Sequence, residues 1–236
     1  MDIKRYALVA CALLCLLTVA CGQEPSTPPK VDAVADVSLQ PAVETEAPQP
    51  PDSTPFAFST ENATADRVCI GADDVDKEVV DAVNTTLLAL PRWFRSAFVE
   101  SGWSMQVVSY DLATTDYEGQ FEEGLVYGST AYSARQIKIQ NDIKAAAASP
   151  IHECGHWFDA ILGYPSLYSE EFNLIYEKEG VVYLQTFGPT CSWNIHEFLA
   201  EGFWCYWKSP VALQKTCPSL YNFIVERLSL LESGEL

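Results

Sequence analysis

The sequence predicts an α+β fold, and three observations carry that prediction. Apolar residues recur at helical spacing over 76–90 and over several stretches of the C-terminal half. Alternating apolar and polar residues mark strands at 106–110 and 124–140. Most of the 14 prolines fall before position 56, so the patterned part of the chain continues from there with little interruption. With 236 residues, 48% of them hydrophobic, there is enough apolar material for one well-packed domain of ordinary size.

Taken in order, Val68-Cys69-Ile70 reads as a short strand, and Val79, Val80, Val83, Leu87 and Leu88 define a helix over 76–90. Pro91 opens a second helix reaching 98. Strand 106–110 and the 124–140 stretch, with Val126, Tyr132, Ile137 and Ile139 alternating against polar residues, give three strands of a mixed or antiparallel sheet. Helices occupy 145–162, 167–179, 194–208 and 218–232, bounded by Gly163, Pro165, Gly180, Pro210 and Pro218.

The N-terminal 66 residues read differently. Lys4 and Arg5 precede an uncharged apolar stretch from Tyr6 to Ala20, too short to span a membrane, so 1–20 is expected to be a signal peptide. Its end, Leu17-Thr18-Val19-Ala20-Cys21, resembles the bacterial lipobox, with Thr18 where leucine is usual. That resemblance implies lipidation of Cys21, a membrane anchor and an envelope location; an ordinary secretory signal is the alternative. Residues 21–66 are proline-rich and acidic with no aromatic before Phe56, a composition that cannot bury a core and predicts a disordered tether. The folded domain is therefore expected at 67–236. With 14 Lys+Arg against 32 Asp+Glu, the net charge of −18 repels phosphate backbones, and nucleic acid is not an expected partner.

Chemistry concentrates at Ser149-Pro150-Ile151-His152-Glu153-Cys154-Gly155-His156-Trp157-Phe158-Asp159. Ser149 suits a helix N-cap and Pro150 the first helical position, so the chain from Ile151 onward is helical for local reasons. His152 and His156 then lie one turn apart on one face, where two imidazoles converge as a zinc site requires; Glu153 stands beside them as a base for an attacking water. Ile151, Cys154, Phe158 and Ile161 point the other way, into a core. The chain has three histidines, and two of them bracket this glutamate. A third ligand must come from elsewhere, and Asn194-Ile195-His196-Glu197 places two candidates side by side. If Asn194 caps that helix, a capping box would occupy Glu197 and leave His196 for the metal. If Ser192 caps it, Glu197 groups with Ala200, Glu201 and Trp204 on one face and His196 turns away.

His152-Glu153-Cys154-Gly155-His156-Trp157-Phe158-Asp159, with Glu197-Phe198-Leu199-Ala200-Glu201-Gly202-Phe203 some forty residues later, resembles the catalytic domain of anthrax lethal factor and its relatives, including the secreted Pro-Pro endopeptidases. The resemblance implies a zincin-like metallopeptidase domain with one Zn2+ held by His152, His156 and Glu197, and Glu153 as general base. It also implies Asp159 and Glu201 as outer carboxylates, with Asp159 orienting His156. The expected substrate is a peptide or protein laid antiparallel along an edge strand near 128–132. That family places a tyrosine seven residues before the glutamate ligand to support the oxyanion. Here that position is Thr190, and Tyr183 is the substitute. The alternative is a weak or inactive surface lipoprotein that uses the same fold to bind a partner.

Outside the signal region the cysteines are Cys69, Cys154, Cys191, Cys205 and Cys217. In an oxidising compartment an odd set predicts up to two bridges among Cys69, Cys191, Cys205 and Cys217, with Cys154 unpaired.

Overall fold

The computed structural model describes residues 63–118, 120–188 and 194–236. The chain enters through β1 (Cys69–Gly71), then α1 (Lys77–Leu87) and α2 (Arg92–Glu100). Burial of Val79, Val80, Val83 and Leu87 gives α1 its single apolar stripe. β2 (Ser104–Val108) is buried at all five positions, as expected of a strand covered on both faces. A short α3 (Leu112–Thr115) comes next, with Asp111 accepting from Thr114 N. The hairpin of β3 (Gly128–Ala131) and β4 (Gln136–Gln140) completes a four-stranded sheet ordered β1-β2-β4-β3. β1–β2 and β2–β4 are parallel and β3–β4 is antiparallel, so the mixed option holds and β3 forms an edge.

After the sheet come α4 (Ile143–Ala148), α5 (Pro150–Ile161), α6 (Pro165–Tyr168), α7 (Glu170–Phe187), α8 (Ile195–Lys208), α9 (Pro210–Thr216) and α10 (Pro218–Ser233). The helix expected at 145–162 is divided at Ser149–Pro150, because proline has no N–H to continue the ladder. Ser149 does not cap α5. Its backbone is already helical, and its hydroxyl donates to Ala145 O and Tyr127 O, fastening α4 to the residue before β3. The helix expected to stop at 179 runs on to Phe187, since Gly180 keeps helical geometry and packs on Tyr176. Buried Glu179 reaches across to accept Ser219 N and Leu220 N at 3.0 Å each, capping α10 from a neighbouring helix.

The core joins the sheet to α5 and α8 through Met105, Ile137, Ile139, Phe94, Phe98, Trp157, Phe158, Phe198 and Phe203. Trp157 stacks edge-on against Phe94 and Phe98, and its indole donates to Ser101 Oγ at 3.1 Å. The expected disulfides are a correction: Cys69, Cys205 and Cys217 are unpaired and buried, as is Cys154, and Cys191 lies outside the described residues. Burial pushes the Cys69 and Cys217 thiols up to about 12 and Cys205 to about 11, so all three behave as apolar core residues. Among the described residues no helix is long and apolar enough to cross a membrane.

α5 and α8 touch at Gly155. A Cβ there would lie 2.6 Å from Ala200 Cα, so backbone meets backbone and neither can yield by changing rotamer. Gly155→Ala is expected to cost about 1–3 kcal/mol through overpacking, read as a lower thermal midpoint. Because α5 carries His152 and His156 and α8 carries Glu197, the same variant should also bind metal more weakly.

Candidate metal centre

His152 and His156 project from one face of α5, one turn apart, toward Glu197 on α8. His152 Nε2 lies 3.3 Å from Glu197 Oε2, and His156 Nε2 lies 3.5 Å from Glu197 Oε1. One ligand atom from each of the three residues falls within 4.8 Å of the other two, so the cluster could hold a metal ion. The donor set fits a borderline-soft divalent cation: two imidazole nitrogens and one carboxylate match ligands that zinc takes. Burial by itself raises the Glu197 carboxyl, but hydrogen bonds from His152 and His156 outweigh it and hold the group well below the usual carboxylate range. For His152, burial favours the neutral ring, yet Glu197 and Glu201 together raise it well above its ordinary value. The His152 ring and the Glu197 carboxylate thus favour opposite charges where a cation would sit.

Of His196 and Glu197, it is Glu197 that lies with His152 and His156. Asn194 does cap α8, its Oδ1 accepting His196 N at 2.9 Å and Glu197 N at 3.1 Å. The asparagine amide thereby satisfies the helix end, and the Glu197 carboxylate turns to the two histidines instead of back to the cap. His196 stands apart from the three-residue cluster.

Both histidines are steered from behind. His152 Nδ1 lies 3.2 Å from Glu201 Oε1, one turn beyond Glu197 on α8. His156 Nδ1 lies 3.1 Å from the hydroxyl of Tyr132, in the turn of the β3–β4 hairpin. This corrects the expectation for Asp159. Its side chain sits at the far end of α5, fully enclosed, with Oδ1 accepting Ser166 N at 3.1 Å and Oδ2 accepting the Ser166 hydroxyl. Sequence reasoning missed Tyr132 because its reach to His156 depends on how the hairpin packs on α5; its place in the alternating 124–140 stretch was the only signal. Burial, with Asp159 and Glu153 nearby, raises the Tyr132 hydroxyl well above its ordinary value, so it stays protonated. Tyr132→Phe is expected to lower metal affinity about tenfold while leaving the unfolding midpoint nearly unchanged, measured by chelator competition beside a thermal melt.

Glu153 comes directly after His152 on α5 and is buried against the edge strand. The Thr130 hydroxyl donates to its Oε2 at 2.6 Å. A Cβ at Gly128 would run into the Glu153 side chain, so glycine lets β3 approach it this close. Glu153, His152, His156, Glu197, Glu201 and His196 line one cavity of about 710 Å³, with Tyr117, Phe121, Phe187 and Trp204 among its apolar walls.

Tyr183 is a second correction. It is 1% exposed, packs on Phe187 and Phe198, and donates its hydroxyl to Glu201 O at 3.0 Å, so it braces α8 from the core and does not face the cavity. Thr190, Cys191 and Ser192 lie outside the described residues, as does Cys21.

No protein-family model and no curated protein matches the chain. Among solved structures it is similar to the Pro-Pro endopeptidase PPEP-2 from Paenibacillus alvei. The match has a TM-score of 0.51 and 18% sequence identity, over 69% of this chain and 98% of that one. The likeness is one of fold: a small four-stranded mixed sheet with many helices around it.

Proposed function

We propose that the chain is a zinc-dependent endopeptidase acting outside the cytoplasm on a peptide or protein. The observation that carries the reading is the convergence of His152, His156 and Glu197, with Glu153 beside them, in a cavity flanked by a sheet edge. The fold shared with a Pro-Pro endopeptidase supports it. The edge strand Gly128–Ala131 would pair antiparallel with an extended substrate, placing a peptide bond next to Glu153. His152, His156 and Glu197 would hold a zinc ion, which would supply Lewis acidity for the hydrolysis. Glu153 takes the proton of the attacking water and passes it to the leaving amine. Thr130 holds the Glu153 carboxylate in place for the transfer, while Glu201 and Tyr132 keep the two imidazole rings turned inward. The aromatic walls exclude water and offer apolar contact to substrate side chains.

The test is metal analysis of the purified protein combined with a mixed peptide library read by mass spectrometry. One zinc per chain, with cleavage abolished by chelation and restored by zinc, is the expected result. A zinc-loaded protein that cleaves nothing would point to a binding protein on the same fold.

The anchor belongs to the same proposal. Removal of 1–20 and lipidation of Cys21 would tether the domain to the cell envelope through 21–66. Cys21→Ser is expected to move the protein from the membrane fraction to the soluble one, since each buried acyl methylene contributes about 0.8 kcal/mol. Unchanged fractionation with no lipid mass on Cys21 would leave a plain secreted protein.

A further inference from the structure

His196 is the third histidine of the chain and is not in the metal-type cluster, yet its ring is engaged by two buried side chains. Its Nδ1 lies 2.7 Å from Ser166 Oγ and 3.5 Å from Asp159 Oδ2. Ser166 and Asp159 are almost wholly enclosed, whereas the His196 side chain keeps about 31% of its surface and lines the cavity that holds Glu153 and Glu197. A tie between α5, α6 and α8 would not require a ring that opens on the cavity.

Counting protons assigns the tautomer. The Asp159 carboxylate can only accept, and it takes the Ser166 hydroxyl proton and the Ser166 N–H. The Ser166 oxygen, having given its one proton away, can only accept from His196. Both neighbours of His196 Nδ1 are therefore acceptors, so Nδ1 carries a hydrogen, and in the neutral ring the lone pair is on Nε2, the nitrogen not engaged by Ser166 and Asp159, in a side chain that lines the cavity.

We propose that His196 is a specificity-determining residue whose Nε2 accepts a main-chain N–H of the bound peptide, with Asp159 and Ser166 as its positioning residues. The inference rests on the peptidase reading. It implies that the substrate residue meeting His196 must carry an N–H, so proline is refused at that one position. This gives Asp159 a purpose that steering His156 does not: a carboxylate taken out of water is offset by three hydrogen bonds, and their effect is to keep one imidazole fixed in the cleft.

The test takes a peptide that the full-length zinc-loaded protein cleaves and synthesises it with single backbone N-methylations along its length. At one position, N-methylation should lower kcat/KM about fivefold to tenfold, the worth of one neutral hydrogen bond. His196→Phe should lower cleavage of the unmodified peptide by a similar factor, with zinc content unchanged. In that variant the same N-methylation should cost nothing further. Ser166→Ala, which leaves the ring itself intact and Asp159 still facing Nδ1, should give a smaller loss carried by KM and not by kcat. Equal N-methylation losses in the wild type and His196→Phe at every position overturn the proposal, as does an Nε2–H tautomer in the free protein. Absence of any cleavage by the wild type overturns the peptidase reading and this inference together; cleavage without coupling overturns this inference alone.

Discussion

On the proposed peptidase reading, Glu153→Gln is expected to retain the wild-type zinc content and lose about a hundredfold to ten-thousandfold in kcat. The substitution replaces one carboxylate oxygen by an amide, so the side chain keeps its shape in the space that Gly128 leaves open. Thr130 can still donate to the remaining oxygen. What disappears is the carboxylate oxygen proposed to take a proton from water. Neither His152, His156 nor Glu197 is touched, so metal content should match the wild type. Undiminished cleavage by the Gln variant would remove Glu153 from the mechanism, and loss of metal would mean that it acts as a ligand.

Glu197→Ala is expected to reduce zinc affinity by more than the roughly tenfold to hundredfold that loss of an outer hydrogen-bond partner costs. His196→Ala should leave that affinity close to the wild-type value. Glu197 presents one oxygen to each of the two Nε2 atoms, so its removal opens the cluster and leaves the two imidazoles held only from behind, His152 by Glu201 and His156 by Tyr132. His196 directs its Nδ1 edge to Ser166 and Asp159 and takes no part in the cluster. Chelator competition on folded protein gives both numbers. The opposite order of losses would make this a three-histidine site and would overturn the ligand assignment.

The sequence by itself determined what depends on neighbours along the chain. Pro150 opens a helix, and once a helix is given, His152 and His156 at a spacing of four must share a face, with Glu153 beside them and Ile151, Cys154 and Phe158 turned to the core. The apolar stripe of α1 and the alternation of β4 were legible for the same reason. Tertiary structure alone decided the partners that reach the site from other elements. Glu197 faces the histidines because α8 crosses α5 at Gly155 and Ala200, and this holds even though Asn194, the cap that argued for His196, is the one in use. Tyr132 rather than Asp159 supports His156, because a hairpin residue brought in by packing on α5 arrives at Nδ1 while Asp159 on the same helix is drawn into Ser166 and His196. Counting seven residues back from Glu197 reaches Thr190, and Tyr183, the substitute upstream of it, is buried by α7 against Phe198. Among the described residues Cys69, Cys154, Cys205 and Cys217 are unpaired, because bridging needs two Cβ atoms within about 4.5 Å in suitable orientation, a relation between elements that spacing along the chain does not encode.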